Sequence, residues 1–174
     1  PVPSTIQTNS NVLTVPSGKP VQKAASIALG AFSIEGLEID GVETTVTLSL
    51  ADRQGNPVPD GTEVNFVAES GVLIPARCVV ANGSSQCKTT FRSSGTHPVN
   101  GRISILAYVP GEEDFVDANF NNQHDSGEAF TNIGDAFRDD NESGQFELGE
   151  FSIPRGNKAE CKATDRIQPL YIDV

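Results

Sequence analysis

Methionine and tryptophan are absent from this chain of 174 residues, and cysteine (three residues) and histidine (two) are scarce. Because methionine is missing, we expect the chain to be a processed or excised piece of a longer protein. With two histidines and no nucleophile motif, the sequence shows no machinery for hydrolysis, and we predict that the chain is not an enzyme. A glycosidase pair of Asp and Glu stays open as an alternative. No apolar run approaches the roughly 18 residues of a membrane span, so we predict no span in this chain.

Basic residues are also missing where the acidic residues concentrate. Residues 111–150 hold 12 acidic residues and one basic residue, a net charge of −11, whereas the other 134 residues hold 11 of each sign. This distribution argues against nucleic acid as a partner, because the phosphates would be repelled. A charge run of this kind is often only a solvated linker. The spacing of its oxygen-bearing side chains favours a second interpretation.

Two windows of twelve residues in this block, 117–128 and 139–150, carry oxygen donors at positions 1, 3, 5, 9 and 12, the spacing of an EF-hand calcium loop. The side-chain ligands predicted in the first window are Asp117, Asn119, Asn121, Asp125 and Glu128, with the carbonyl of Gln123 at position 7. Those predicted in the second are Asp139, Asn141, Ser143, Glu147 and Glu150, with the carbonyl of Gln145. Only ten residues separate the windows, too few for the helices of an EF-hand pair. We therefore predict two Ca²⁺ ions in loops that resemble EF-hands in ligand spacing alone.

Two further positions in each loop refine this prediction. Position 6 needs a sharp turn with positive φ, which Gly144 provides easily and Asn122 tolerates. Position 8 is apolar in the second loop, where Phe146 stands, but is His124 in the first. A transition-metal site of His124 with Asp125 and Glu128 stays open as an alternative, although every other donor is a hard oxygen.

The cysteines predict a disulfide and an oxidising compartment. Cys78 and Cys87 flank Asn82-Gly83, a strong signal for a hairpin turn. Counting outward from that turn sets the two cysteines opposite each other at a non-hydrogen-bonded position, where Cα atoms lie about 4.5 Å apart, within disulfide range. Two buried free thiols are the alternative. Cys161 is then free or pairs with a cysteine outside this sequence.

From residue 25 onward, apolar and polar residues alternate with the period of a half-buried strand, as at Val46, Leu48 and Leu50. Short runs of this kind, separated by Gly, Asn and Pro turns and without a helical period, predict an all-β antiparallel sandwich. The predicted organisation is a linker or edge of a neighbouring module (1–24), an Ig-like β-sandwich (25–110), an acidic calcium-binding segment (111–155) and a terminal strand that completes the sandwich (156–174).

A family resemblance supports the Ig-like assignment. Asp52-Arg-Gln-Gly-Asn-Pro-Val-Pro59 followed by Gly61-Thr-Glu-Val-Asn-Phe66 resembles bacterial Ig-like domains of the invasin/intimin (group 1) kind, and residues 101–107 resemble their closing strand. The resemblance covers roughly residues 40–130. It implies a repeated, non-catalytic spacer or adhesin module of an exported Gram-negative surface, envelope or secreted protein, with neighbouring Ig-like modules as partners. The acidic insertion is not part of the group 1 pattern.

These observations together predict a calcium-stabilised structural module that rigidifies an array of domains. The rival hypothesis is a module that binds carbohydrate or a host protein in a calcium-dependent manner. Exposed aromatic residues beside the metal would favour the rival, and the candidates are Phe115, Phe120, Phe130 and Phe137. The same residues can instead form a small core that holds the loops, which is the interpretation we favour.

Overall fold

Residues 18–153 are the part of the chain that the computed structural model describes, and they form nine short β-strands and one turn of 3-10 helix. The helical turn is Gln22–Ala24, and the strands are β1 (Ser26–Leu29), β2 (Glu43–Ser49), β3 (Glu63–Ala68), β4 (Val72–Ile74), β5 (Arg77–Val79), β6 (Gln86–Arg92), β7 (Ile105–Tyr108), β8 (Ala136–Phe137) and β9 (Ser152–Ile153). The predicted terminal strand, Cys161 and most of the predicted linker lie outside the described residues. Within the described range, no helix has the length and hydropathy of a membrane span.

The strands pair in antiparallel fashion into two main sheets. The first sheet has the order β1-β2-β6-β4 and the second the order β5-β3-β7, while β8 and β9 form a ribbon in the acidic segment. The apolar side chains of both main sheets meet in one core. The predicted all-β antiparallel sandwich is therefore confirmed, and its Ig-like character remains a prediction.

Alternation along each strand builds this core. Val46 and Leu48 of β2 are buried, as are Val64 and Phe66 of β3 and Phe91 of β6. Their neighbours in the sequence are more exposed, because successive side chains of a strand point to opposite faces. The period-two runs in the sequence thus predicted correctly which side chains face the core.

Close packing over Phe91 depends on a glycine in the bend between β3 and β4. Gly71 has a φ of 76°, and a Cβ there would lie 2.6 Å from Cε2 of Phe91 and 2.8 Å from the carbonyl oxygen of Arg92. A side chain at this position would meet both a strained backbone and the buried ring of Phe91. Glycine lets the bend cross directly above that ring.

The predicted disulfide is confirmed, but the predicted hairpin around it is wrong. Cys78 and Cys87 are bonded, with Cα atoms 5.8 Å apart. However, Cys78 lies in β5, which pairs with β3 in the second sheet, and Cys87 lies in β6, which pairs with β2 and β4 in the first. The disulfide therefore joins the two sheets of the sandwich across the core.

The physical reason is a third residue with positive φ. Asn82 and Gly83 form the expected tight turn, with φ values of 58° and 63°. Ser85 follows with a φ of 52°, and its hydroxyl accepts the backbone N–H of Val58 at 2.9 Å. This contact diverts the chain toward the first sheet before a ladder between β5 and β6 can form. The turn chemistry was predictable, but the long-range contact of Ser85 was not.

A buried carboxylate organises the turn between β2 and β3. Asp52 is fully buried, and its Oδ1 accepts the backbone N–H groups of Gln54 (3.0 Å) and Asn56 (2.8 Å). The side-chain amide of Asn56 donates to its Oδ2 at 3.1 Å. This network explains the Asp-x-x-Gly-Asn motif, because the Asp replaces backbone partners that the turn lacks. It also fixes Arg53, which points toward the acidic segment.

Candidate metal centre

The first acidic loop, residues 117–128 (loop 1), folds around the carboxylates at its two ends. Asp117 accepts the backbone N–H groups four and five residues further on, at 3.1 and 2.8 Å. Glu128 uses both of its oxygens, accepting the N–H of Ala118 at 2.8 Å and that of Asp125 at 2.9 Å. The first and last predicted ligands are therefore held in the same small ring of backbone.

The second loop, residues 139–150 (loop 2), repeats these bonds. Asp139 accepts the N–H groups four and five residues further on, at 3.1 and 2.6 Å. Glu150 accepts the N–H of Asp140 at 3.0 Å and that of Glu147 at 2.8 Å, again with one oxygen for each. Asp139 is fully buried, whereas Asp117 is only half-buried. Loop 2 is thus the more enclosed of two closely similar loops.

The similarity extends to the positions between the end carboxylates. The position 3 oxygens of Asn119 and Asn141 each accept the N–H of position 5, both at 3.0 Å. The position 5 oxygens of Asn121 and Ser143 each accept the N–H of position 7, at 2.8 and 3.1 Å. Positions 4 and 6 have positive φ in both loops, as predicted for position 6. An offset of 22 residues relates the two sets of bonds.

Loop 2 also brings three carboxylates together. Oxygens of Asp139, Glu147 and Glu150 all lie within 4.8 Å of one another. Ca²⁺ binds oxygen at about 2.3–2.6 Å, so two ligands on opposite sides of one ion lie about 4.6–5.2 Å apart. The three carboxylates therefore fit around a single ion of this kind, and hard oxygen donors of negative charge suit Ca²⁺ chemically. This cluster can hold one metal ion.

The remaining predicted ligands of loop 2 lie at the edge of this cluster. The hydroxyl of Ser143 donates to Glu147 at 2.8 Å and to the carbonyl of Gln145 at 3.1 Å. The position 5 side chain therefore already contacts the donors at positions 7 and 9. Asn141 is exposed and faces the loop interior through its bond to the N–H of Ser143.

The donors of loop 1 are arranged differently at position 9. The side-chain amides of Asn119 and Asn121 both donate to Oδ2 of Asp125, at 2.7 Å each. These hydrogen bonds hold the pKa of Asp125 below its ordinary value, so its carboxylate stays charged. Within residues 18–153, the three-carboxylate grouping that fits a metal occurs at loop 2 and not at loop 1. Gln123, the predicted carbonyl donor, is exposed beside this network.

His124 does not join the acidic residues of loop 1. Its ring lies edge-on between Phe115 and Phe130, with centroids 5.4 and 5.3 Å away. Its Nε2 lies 3.1 Å from the backbone carbonyl of Glu128. Among the described residues, no metal-compatible group includes this histidine. The contacts are those of a small aromatic cluster that supports the loop.

Of the four aromatic candidates, one is a core residue and two are exposed to different degrees. Phe137 is fully buried and meets Phe146 edge-on at 5.7 Å. Phe120, at position 4 of loop 1, is 91% exposed. Phe115 and Phe130 flank His124 with intermediate and 45% exposure, respectively. The small-core interpretation therefore holds for Phe137, while Phe120 is free to contact another molecule.

Arg53 fastens loop 1 to the sandwich. Its guanidinium donates to Oδ1 of Asn122 at 2.7 Å, lies 3.8 Å from Oδ2 of Asp117 and covers the ring of Phe115 at 3.5 Å from the centroid. The amide of Gln54 donates to the same Asn122 oxygen at 3.0 Å. The turn that Asp52 organises therefore holds the first and sixth positions of loop 1.

Arg138 fastens loop 2 at the far end of β3. Its Nη1 donates to the carbonyl of Ala68, the last residue of that strand, at 2.7 Å. Its hydrogen bond to Asp140 raises the pKa of Arg138. The hydroxyl of Ser104 donates to the carbonyl of Asp139 at 2.5 Å, and the amide of Asn100 donates to Glu142 at 2.9 Å. Loop 2 is thus bound to the sandwich through side chains and backbone together.

Sequence reasoning missed all of these anchoring residues. Arg53 lies 69 residues from Asn122, and Arg138 lies 70 from Ala68, so local spacing contains no trace of either contact. One signal was available, because Arg138 is the single basic residue of the acidic block.

Comparison of the chain with protein-family models, with curated proteins and with solved structures gives no match.

Proposed function

We propose that this chain is a non-catalytic, calcium-stabilised structural module in which two Ca²⁺ ions hold the acidic segment along a β-sandwich. The observation that carries the proposal is the repeated set of hydrogen bonds in loops 1 and 2. An acidic linker without ligand function has no reason to orient its end carboxylates in the same way twice. The convergence of Asp139, Glu147 and Glu150 supports calcium in loop 2 directly. Calcium in loop 1 is inferred from the shared bonding pattern.

Charge gives the ions their structural role. Residues 111–150 carry a net charge of −11, which repels itself and opposes a compact arrangement. Two Ca²⁺ ions would neutralise four of these charges and tie the ends of each loop together. Calcium loops of extracellular modules typically have dissociation constants of about 10⁻⁴–10⁻³ M. Free calcium at 100 times the dissociation constant stabilises the folded state by about 2.7 kcal/mol for each site.

The anchors explain how two local sites would stiffen a whole module. Arg53 contacts loop 1 from the turn that precedes β3, and Arg138 contacts Ala68 at the end of β3. A strand of six residues is about 20 Å long. Fixing both loops therefore fixes the acidic segment along the length of the second sheet and sets the direction in which the chain leaves the sandwich.

The wider setting rests on the resemblance and the disulfide. The turn motif at 52–59 favours an Ig-like module of the invasin/intimin kind, and the disulfide favours an oxidising compartment. We propose an exported bacterial protein of the cell surface, outer envelope or medium, in which neighbouring Ig-like modules are the partners. In an array of this kind, calcium would set the stiffness of the junction between modules.

Calorimetric titration of the full chain with calcium tests the proposal. We expect two ions per chain, one ion for Glu128→Gln or for Glu150→Gln, and none for the double variant. The substitution removes a charge and a bidentate ligand while the side chain keeps its shape. Glu112→Gln, in the acidic segment but outside both loops, is the matched control and should bind two ions. A stoichiometry that neither loop variant lowers would end the proposal.

A second candidate function is favoured by one observation. Phe120 is 91% exposed in loop 1, and Val116 nearby is 63% exposed. An apolar side chain at a calcium loop can contact a carbohydrate ring or a host protein when the ion organises the surface. A glycan array with calcium and with EDTA tests this, using Phe120→Ser as the variant. Calcium-dependent binding that Phe120→Ser abolishes would favour the binding module over the structural one.

A further inference from the structure

The two acidic loops differ in how much negative charge they offer to an ion. Loop 2 contains five carboxylates and no basic residue, whereas loop 1 contains three carboxylates. Those of Asp139, Glu147 and Glu150 converge in loop 2, and within residues 18–153 no such grouping occurs in loop 1. Calcium affinity depends on the number of charged ligands and on the rigidity of the site. Both properties favour loop 2.

The arginine beside each loop widens this difference, because the two guanidinium groups have different partners. Arg138 forms two hydrogen bonds with Asp140, from Nε to Oδ1 at 2.5 Å and from Nη2 to Oδ2 at 2.9 Å. Asp140 stands at position 2 of loop 2 and is not among the predicted ligands. The charge of Arg138 is therefore balanced by a residue that the ion does not need. Loop 1 has Ala118 at position 2 and lacks a carboxylate for this purpose.

Arg53 is paired instead with a predicted ligand of loop 1. Its Nη2 lies 3.8 Å from Oδ2 of Asp117, at position 1, and its side chain is only 7% exposed. Its Nη1 is buried and has no hydrogen-bond partner in the described part of the chain. A cation at loop 1 would therefore face a fixed positive charge that salt screens poorly. A unit charge about 6–8 Å from Ca²⁺ changes its affinity about five- to tenfold even at the dielectric constant of water.

The hydrogen bonds of Asp125 add a second cost in loop 1. The side-chain amides of Asn119 and Asn121 both donate to its Oδ2 at 2.7 Å. An ion that uses this carboxylate must displace these donors or share the oxygen with them. At the same position of loop 2, Glu147 accepts the hydroxyl of Ser143 at 2.8 Å and already belongs to the converging group. Loop 2 therefore needs less rearrangement to hold an ion.

We propose that loop 2 fills with calcium first and loop 1 second, and that Arg53 sets the interval between the two steps by opposing the ion at Asp117. This inference rests on the proposed calcium function of both loops. It makes Arg53 a residue that determines affinity as well as an anchor. Arg53 belongs to the turn that Asp52 organises, so the sandwich itself holds the positive charge in place. The stiffness of the module then rises in two steps as calcium increases.

Calcium titration of the full chain, followed by NMR of the backbone amides, tests the order of filling. Asn122 and Gly144 are matched reporters, because each stands at position 6 and donates its N–H to the position 1 carboxylate, at 2.8 and 2.6 Å. We expect the Gly144 signal to reach its midpoint at a calcium concentration about tenfold or more below that of Asn122. This step uses the unmodified chain, so it does not depend on the folding of a variant.

Two substitutions of one residue then separate charge from anchoring. Arg53→Gln removes the charge and Arg53→Lys keeps it, while both lose the planar guanidinium fork. We expect Arg53→Gln to lower the Asn122 midpoint about five- to tenfold and Arg53→Lys to leave it near the unmodified value. The Gly144 midpoint should change in neither variant. Arg77→Gln, which removes a positive charge from an exposed side chain of β5, is the matched control and should shift neither reporter.

The outcomes distinguish this inference from the proposed function. Equal midpoints at Asn122 and Gly144, or an earlier midpoint at Asn122, would overturn the order while leaving calcium binding by both loops intact. A higher Asn122 midpoint in Arg53→Gln, or the same shift in Arg53→Lys, would show that Arg53 acts through anchoring and not through charge. Reporters that do not respond to calcium at all would contradict the proposed function itself.

Discussion

Two arginines connect the acidic segment to the sandwich, and they use different chemistry. Arg53 combines a hydrogen bond to Asn122 with a cation–π contact to Phe115, and its side chain is only 7% exposed. Arg138 instead ties a backbone carbonyl of β3 to the neighbouring Asp140. Buried contacts of this kind are screened less by salt than surface pairs are. Each arginine is therefore expected to contribute more than its formal charge suggests.

The variant Arg53→Ala tests the contribution of Arg53 to stability. The variant loses the hydrogen bond, the cation–π contact and the packing of the aliphatic stem, so we expect a loss of about 1–3 kcal/mol in the free energy of unfolding. The matched control is Arg77→Ala, because Arg77 is 65% exposed in a 3.4 Å pair with Glu63. An exposed pair contributes about 0–1 kcal/mol. Urea denaturation measures both, and equal losses would argue against the anchoring role of Arg53.

Glu69 makes the stability of the folded chain depend on pH. Burial raises the pKa of Glu69 above its ordinary value of 4.5, against the opposing effect of a hydrogen bond from the N–H of Ser104. Because the folded pKa is the higher one, the contribution of this group to stability is complete below pH 4.5 and is lost as pH rises through the folded pKa.

We therefore expect Glu69→Gln, which stays neutral, to gain in melting temperature relative to the unmodified chain as pH rises from 4 to 7. The amide oxygen of Gln can still accept the N–H of Ser104. Melts at intervals across this range, in EDTA to exclude metal effects, measure the difference. Glu63→Gln, at a side chain that is 44% exposed, serves as the control for removing one carboxylate. A gap between Glu69→Gln and the unmodified chain that stays constant with pH would contradict the expectation.

At the scale of single elements, the bend between β3 and β4 is the sharpest test of packing. Gly71→Ala combines a φ of 76° with a Cβ only 2.6 Å from the ring of Phe91, so we expect a loss of about 2–4 kcal/mol. Gly61→Ala is the matched control, because its φ is 92° but no atom lies within 4 Å of the added Cβ. It should lose only about 1–2 kcal/mol from backbone strain. Equal losses in denaturant titrations would show that the ring moves aside freely.

Strands and turns were predictable from the sequence where interactions between neighbouring residues determine them. Alternation identified the core residues of β2, β3 and β6, and Asn82-Gly83 identified its turn, because both signals depend on neighbouring residues. The pairing of β5 with β3 was not predictable, since Ser85 and its contact to Val58 decide it over 27 residues. The disulfide was predicted from a hairpin that does not exist, and the two cysteines meet instead because the sheets pack face to face.

The candidate metal centre likewise has features that the sequence predicts and features that it does not. The hydrogen bonds inside each loop connect residues at most ten apart, and the ligand spacing anticipated their repeat. The sequence could not show that Asp139 is fully buried whereas the side chain of Asp117 is 16% exposed. The hydroxyl of Ser104 donates to the carbonyl of Asp139, and Ala68 accepts a hydrogen bond from the preceding Arg138, and both Ser104 and Ala68 belong to the sandwich. The spacing of the ligands within each loop can therefore be read from the local sequence, whereas the burial of the carboxylates depends on the fold.

At the scale of the whole molecule, calcium should change both stability and shape. Two sites saturated at 100 times their dissociation constants add about 5 kcal/mol to the free energy of unfolding, which for a chain of this length raises the melting temperature by about 10–20 °C. In EDTA the −11 charge of residues 111–150 is uncompensated, so the scattering profile should show a larger and more flexible particle.

The double variant Glu128→Gln, Glu150→Gln should give the same profile in calcium as in EDTA. Magnesium at equal ionic strength is the control for screening, and it should act weakly because it demands a smaller octahedral site. If sodium chloride alone compacts the unmodified chain as fully as calcium does, then screening of charge, and not ligation by these two loops, governs the shape of the molecule.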